Sequence, residues 1–482
     1  MKHIKYLAFV LIGVMFSCNE DDFLNPIPDS RVVVTSYFNS DEEVLAGILG
    51  VYDAIQGIPE ETTSNSSLVN RGVQFEYLVT EMRSDNTRSA TTEGSKADFH
   101  RYLVDANNVE VEDYYASMYE IIFRANNILD FIEVADEGNR AAYTAESKFL
   151  RAYAYFNLVR LFGDVPMVTS VVNPTQSEAL YTRVETSQIY DLIIDDLLIA
   201  VDDLNNSGSK NRASKAAAQA LLAKVYLTLP NPNYIGAQQM CEAIIGTPQF
   251  TLLPDFYDVF YQELNDEIIF SVGYSSGFSE DAQGFSSEFT ADAGRQDGLN
   301  IVNNNLIADF EAYGGNRTSV SYFQSPTSSD LTEVGKYLPD GYMRDEDGNY
   351  GPNPPRLAGN DWIVLRYADV LLMHVESILA GAEVTGNQAA ISSFQQVRDR
   401  AGLTTPVTSI TRDDLIMERR VELAFENHRF FDLLRFGIAD AVLSAHASEM
   451  GYPDYTSRAL LLPIPNREIN LSGGLMTQNP GY

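Results

Sequence analysis

Cysteine is close to absent. The 482 residues hold two, Cys18 and Cys241, too few for a disulfide framework or a cysteine-rich zinc site. Histidine is nearly as scarce, at five, which leaves little for imidazole-based metal chemistry. Basic residues are outnumbered two to one, 33 against 67 acidic, for a net charge of −34. Nucleic-acid binding needs a basic face for the phosphates, so no nucleic-acid partner is expected. A polyanionic ligand is disfavoured for the same reason, unless a local basic pocket overrides the field. There is one tryptophan, Trp362, so the chain has no spare indole for a broad stacking arc. What remains is 45% apolar and 11% aromatic, enough to build a large core and to exclude whole-chain disorder.

Long hydrophobic runs are missing too. Lys2 and Lys5 precede the uncharged run Tyr6–Phe16, whose 11 residues are too few to cross a bilayer, which takes about 20, but suit a signal-peptide core. The run stops at Ser17-Cys18, a small residue directly before a cysteine, which looks like a bacterial lipobox. Residues 1–17 are therefore predicted to be a signal peptide and Cys18 the lipidated N-terminus. Cleavage there removes Lys2 and Lys5 and takes the net charge from −34 to −36. Lipid chains, not a helix, would then tie the body to a membrane. Residues 18–39, opening with Asn19-Glu20-Asp21-Asp22, read as a tether.

Helical periodicity dominates from residue 40 onward. Ser40 with Glu43 reads as a capping box before Val44, Leu45, Ile48, Leu49 and Tyr52. Helices are predicted over 114–134, 148–162, 186–204, 214–229, 234–245, 365–380, 388–401 and 411–436. The 148–162 segment is apolar almost all round and so buried on more than one side. Segment 214–229 carries Ala216, Ala217, Ala218, Ala220 and Ala223, small residues that let neighbouring helices approach closely. Paired helices of this kind resemble tetratricopeptide hairpins, although no clean 34-residue unit can be counted. Glu267–Val272 reads as a strand, and residues 273–361 are rich in Gly, Ser, Asn, Asp and Pro with one short helix near 306–313. Long irregular stretches inside a globular chain tend to be functional. The fold class expected is mostly α: a single large helical domain over 40–482, with scaffold at about 40–260 and 362–449 and a loop-rich, ligand-facing region at about 267–361.

Several blocks, in order, resemble the SusD/RagB family of outer-membrane lipoproteins. They are Glu146-Ser147-Lys148-Phe149-Leu150-Arg151-Ala152-Tyr153 running to Phe162-Gly163-Asp164-Val165-Pro166, Leu365-Arg366-Tyr367-Ala368-Asp369-Val370-Leu371-Leu372-Met373, Val397-Arg398-Asp399-Arg400-Ala401-Gly402-Leu403, Glu418-Arg419-Arg420-Val421-Glu422-Leu423-Ala424-Phe425-Glu426, and the terminal Gln478-Asn479-Pro480-Gly481-Tyr482. The resemblance implies a non-catalytic surface lipoprotein without a cofactor. It would bind nutrient, usually oligosaccharide, and form a lid over a SusC-like TonB-dependent porin in the outer membrane. It also allows a RagB-like peptide binder, or a scaffold that only stabilises the porin.

The charges inside these blocks sit among apolar residues, and buried charges are tolerable only when paired. Arg366, Asp369, Glu418, Glu422 and Glu426, with Arg419 and Arg420 beside them, therefore read as an internal salt-bridge network fixing helix register; His374 and His428 read as packing residues. Gly273-Tyr274-Ser275-Ser276-Gly277 matches a nucleophile-elbow pattern, but loop-forming residues follow where a helix is needed, so a hydrolase is disfavoured. Asp345-Glu346-Asp347-Gly348-Asn349 reads as a solvated turn before a calcium loop.

Sugars are held by stacking their C–H faces on aromatic rings while Asp, Asn and Arg bond the hydroxyls, and scaffold helices spend their aromatics on core. The ligand residues are therefore sought on the two irregular stretches. The first supplies Asp85, Asn86, Arg88 and Phe99, with Asp85 at the family's Ser-Asp position and Phe99 where a relative places tryptophan. The second supplies Tyr274, Arg295, Asp297, Tyr313 and Arg317. The overall acidity favours a neutral glycan, and clustered arginines would reverse that.

Overall fold

A computed structural model describes residues 38–59, 69–91, 94–172, 178–276, 281–291, 298–325, 328–338 and 357–482. Cys18, Arg295, Asp297 and the 345–349 turn lie outside the described residues. The scaffold helices are α1 Asp41–Gln56, α2 Val109–Asp130, α3 Glu137–Phe162, α4 Thr186–Asp203, α5 Lys215–Thr228 and α6 Tyr234–Ile245, then α7 Asn304–Tyr313, α8 Tyr367–Leu379, α9 Gln388–Arg400, α10 Arg412–Glu422, α11 Arg429–Arg435 and α12 Ala439–Met450. Strands are short: β1 Thr87–Arg88, β2 Ile268–Val272, β3 Ile301–Val302 and β4 Trp362–Arg366. The fold is mostly helical, as expected.

The helices pack in series. α1 lies on α2, α2 on α3, α3 on α4, α4 on α5, α5 on α6, α6 on α8 and α8 on α9. The order explains the composition of each. α3 has neighbours on both sides, and Ala145 through Val159 are buried except for the half-buried Lys148. Its Arg151 ties three helices together, donating to Asp196 of α4 through Nε and Nη2 at 2.8 and 2.9 Å and to Asn126 of α2 at 2.8 Å. The alanines of α5 are fully buried where α4 and α6 close in. At α1 the cap is displaced by one position: Ser40 Oγ accepts from Glu43 N–H, but the Glu43 carboxylate accepts from Asn39 N–H at 2.6 Å and not from Ser40.

α6 packs directly on α8, so the described residues between 246 and 366 are an excursion from the stack. β2 and β4 pair antiparallel at its neck, Ile268 opposite Arg366 and Val272 opposite Trp362, so the chain leaves and returns at one place. Trp362 closes the neck as scaffold: its ring lies 5.2 Å from Phe285 and 4.9 Å from Tyr337.

The helix predicted over 411–436 is broken. α10 ends at Glu422 and α11 begins at Arg429, and between them Phe425 and Asn427 adopt φ of 68° and 64°. Left-handed backbone at a phenylalanine is costly and persists only where the surroundings dictate it. Here they do: the turn aims Glu426 at Arg366 and Lys336 and hands the Phe425 N–H to the buried Glu81 carboxylate at 3.0 Å.

The internal salt bridges are present, with partners drawn from further away than the motif suggests. Arg366 and Asp369 do not bond each other. Arg366 bonds Glu422 and Glu426 at 2.6 Å and Glu267 at 2.9 Å, whereas Asp369 takes Arg419 and Lys224 at 2.8 Å. Glu422 also receives Arg317 at 2.8 Å and Arg400. The network therefore locks β4, α9, α10 and the excursion to one another.

Candidate functional site

The two irregular stretches singled out by composition meet in space. β1 pairs antiparallel with β3, Thr87 opposite Val302 and Arg88 opposite Ile301. The pairing continues outward, with Ala90 N–H on Gly298 O at 2.7 Å and Asn303 N–H on Asn86 O at 2.9 Å. Lys96 reaches Glu288 at 3.3 Å, a second tie across the same seam. The described parts of 84–102 and 281–303 thus form one loop face mounted on the helical stack.

The mounting consumes several residues expected to touch ligand. Asp85 is 3% exposed; Arg429 grips it through Nε and Nη2 at 2.8 and 3.0 Å, and Arg420 adds a contact at 2.9 Å. Burial alone would raise its pKa, but the two guanidinium groups outweigh it and hold the carboxyl well below the usual range. Asn86 is buried between Glu81, to which it donates at 2.8 Å, and Arg420, from which it accepts at 2.9 Å. Phe99 is core. Tyr274 is buried with its hydroxyl on Gln56 O at 2.8 Å. Arg317 has no exposed surface and bonds Glu418 and Glu422 at 2.7 and 2.8 Å. For these five the expected place on an open loop is corrected: each fills or neutralises the interior that the loops rest on. Tyr313, 45% exposed, stays on the surface, with its carbonyl accepting from Arg317. Arg88 is half-buried on the seam.

Composition alone missed the third contributor, the turn after α12. Ser89 N–H approaches His100 Nδ1 at 3.4 Å, and the His100 ring lies 5.6 Å from Tyr452. Tyr102 stands 4.8 Å from Tyr455, edge to face. Tyr452 and Tyr455 are half-exposed, backed by the buried Tyr102 and His100. Alongside runs a cleft of about 760 Å³ lined by Asp454, Ser457, Arg458 and Asn479, within the range that holds small ligands. The signal was available: Gly451-Tyr452-Pro453-Asp454-Tyr455 is as aromatic and turn-rich as the two stretches chosen.

Ser275 lies on an exposed turn with its N–H on Asp281 O at 2.8 Å, and the next described helical turn after it begins only at Phe285. A nucleophile elbow needs the helix at once.

The seam also carries a pH signature. Glu81, buried beneath it, has its pKa pushed up to about 7 by burial, against the pull of Asn86 and the Phe425 N–H. A carboxyl raised in the fold keeps its proton there, so its contribution is fullest below the unfolded value near 4.5 and is lost as pH climbs toward 7. Glu81→Gln is expected to flatten that decline. Its stability relative to the parent should improve between pH 4 and pH 8 by on the order of 3 kcal/mol, read from urea unfolding at the two pH values. An identical pH slope in parent and variant would refute the assignment.

Comparison with known proteins covers nearly the whole chain. The model of the SusD family matches residues 309–482, and that described as starch-binding associating with outer membrane matches residues 22–227. SusD-like protein P2 of Formosa agariphila is 26% identical over 523 aligned positions, spanning all of both chains. A solved laminarin-binding SusD-like protein is 25% identical with a TM-score of 0.75, covering 92% of this chain and all of that one. Surface glycan-binding protein A from Bacteroides thetaiotaomicron, solved with laminarihexaose, shares the fold at 22% identity and a TM-score of 0.74, covering 91% of this chain and 99% of that one.

Proposed function

The chain belongs to the SusD family, and from that premise we propose that it captures oligosaccharide on the loop face and passes it to a SusC-like TonB-dependent transporter in the outer membrane. It does so without catalysis, held at the cell surface by lipid on Cys18. The observation that supports this reading is the convergence of three irregular segments on one seam, with Tyr452 and Tyr455 on the turn that borders a cleft of sugar-binding size. Half-exposed tyrosines suit the work. They give a rigid apolar face to the C–H side of a pyranose and leave their hydroxyls for its polar rim. The laminarin binding of the solved relative supports carbohydrate as the ligand class.

The test is a glycan panel followed by calorimetry on the mature chain. A glycan found there should bind the Tyr452→Ala variant roughly 30-fold more weakly, about 2 kcal/mol, with an unchanged melting curve. Failure of every glycan, together with peptides in the mass spectrum of the purified protein, would replace oligosaccharide by peptide as the cargo.

A further inference from the structure

The chain's buried arginines mostly spend their donors on carboxylates. Arg151 holds Asp196, Arg419 holds Asp369 and Asp432, and Arg429 holds Asp85. Others, such as Arg160, are covered by rings: it lies 3.8 Å from the centroid of Phe156 and 3.6 Å from that of Phe431. Arg88 has neither arrangement. Among the described residues its guanidinium makes one hydrogen bond, from Nη1 to the carbonyl of the adjacent Ser89 at 3.3 Å, and no ion pair. A guanidinium carries five N–H donors in a planar fork, so most of its capacity is unspent among the described residues.

Its surroundings are built. The Ser89–His100 contact brings Arg88 and Arg101, each one residue from that contact, into the neighbourhood of Tyr452, and both positive charges act on the tyrosine and on His100. His100 stays neutral, its pKa driven down to about 3 by burial first and then by the two arginines. Of the nearby acids, Asp85 is held by Arg429 and Arg420 and Asp440 accepts from the Tyr455 hydroxyl at 2.9 Å, while Asp454 stays exposed in the cleft. The net charge of −34 does not veto an anion here, because charges beyond about 8–10 Å are screened at physiological salt, which leaves the choice to the local groups.

We infer that this face takes a glycan bearing an acidic group, a carboxylate or a sulfate, gripped by Arg88 while the sugar ring lies on Tyr452. This rests on the glycan-capture reading and reverses the neutral ligand suggested by composition. A fork of donors meets either anion with paired N–H bonds, and such charge-assisted bonds are roughly twice as strong as those to a hydroxyl.

Calorimetry on the full mature chain with a galacturonate oligomer, a sulfated galactan oligomer and laminarihexaose tests it. One acidic probe should bind at least about tenfold more tightly than laminarihexaose, and which of the two binds identifies the anion. That affinity should fall as salt rises from about 50 to 500 mM. Arg88→Gln should lower it about tenfold or more and flatten the salt dependence, Arg88→Lys should keep part of it, and both should melt like the parent. Laminarihexaose binding as tightly as both acidic probes, or acidic binding untouched in Arg88→Gln, overturns the inference while leaving glycan capture standing. No binding by any of the three overturns the inference, and the broad glycan panel then decides the reading beneath it.

Discussion

Arg366→Met is expected to cost about 3–5 kcal/mol, a large part of the 5–15 kcal/mol that holds a typical protein folded. The side chain is 1% exposed and serves three carboxylates at once, and its Nη2 also bonds the Glu422 carbonyl at 2.8 Å. Removing it leaves Glu422 with Arg317 and Arg400, Glu426 with Lys336, and Glu267 with Arg400, each short of the donors that balance its desolvation. The damage follows from charge left behind and not from volume, since methionine fills much of the same space. Arg366→Lys should recover little, because one ammonium cannot replace a fork that reaches Glu422, Glu426 and Glu267 together. The measurement is the urea midpoint with its slope compared to the parent. A shift worth less than about 1 kcal/mol would mean that the neighbouring arginines already saturate the site.

That network marks both what the sequence makes legible and what it hides. The long helices could be read directly: α3 and α5 announce themselves by apolar or alanine-rich periodicity over many turns, because their environment repeats along the helix. The presence of buried, paired charges in α8 and α10 was also legible, since an arginine or glutamate on an apolar face has no other tolerable state. The pairing itself was not. Arg420 turns away from its neighbouring glutamates to Asp85 and Asp309, and Glu422 is served from α9, β4 and the excursion. The break at Phe425 and Asn427 was invisible because neither residue is a glycine or proline. Its cause is tertiary, the reach of Glu426 toward Arg366 and of the Phe425 N–H toward Glu81.

The candidate site failed to read for the same reason. A polar residue in an irregular stretch has the same composition whether it faces ligand or anchors the loop. Asp85 and Arg429 are 344 positions apart, and no local pattern reports that they touch. Tyr313 and Arg317 stand four residues apart on one short segment, yet one is open to solvent and the other has no exposed surface.

Asp85 separates these roles experimentally. Asp85→Ala is expected to destabilise the protein by about 3–5 kcal/mol, because Arg429 loses its only ion-pair partner among the described residues and Arg420 is left with Asp309. Glycan binding should weaken with it, since Asp85 pins the strand that carries Arg88. The acid limb of stability should change in the same variant. A carboxyl held below its usual pKa stabilises the fold above the ordinary carboxylate range and loses that contribution as pH falls, so the parent should lose more than Asp85→Ala on descent through pH 4 to 2. The deciding variant is the double replacement Asp85→Leu with Arg429→Met, which replaces the Asp85–Arg429 pair by apolar side chains, a change that is often neutral, and leaves Arg420 its ion pair with Asp309. If Asp85 is a clamp, stability and glycan affinity should both return toward the parent. If the fold recovers while binding stays lost, Asp85 reaches the ligand after all, and the loop face opens further inward than its buried seam indicates.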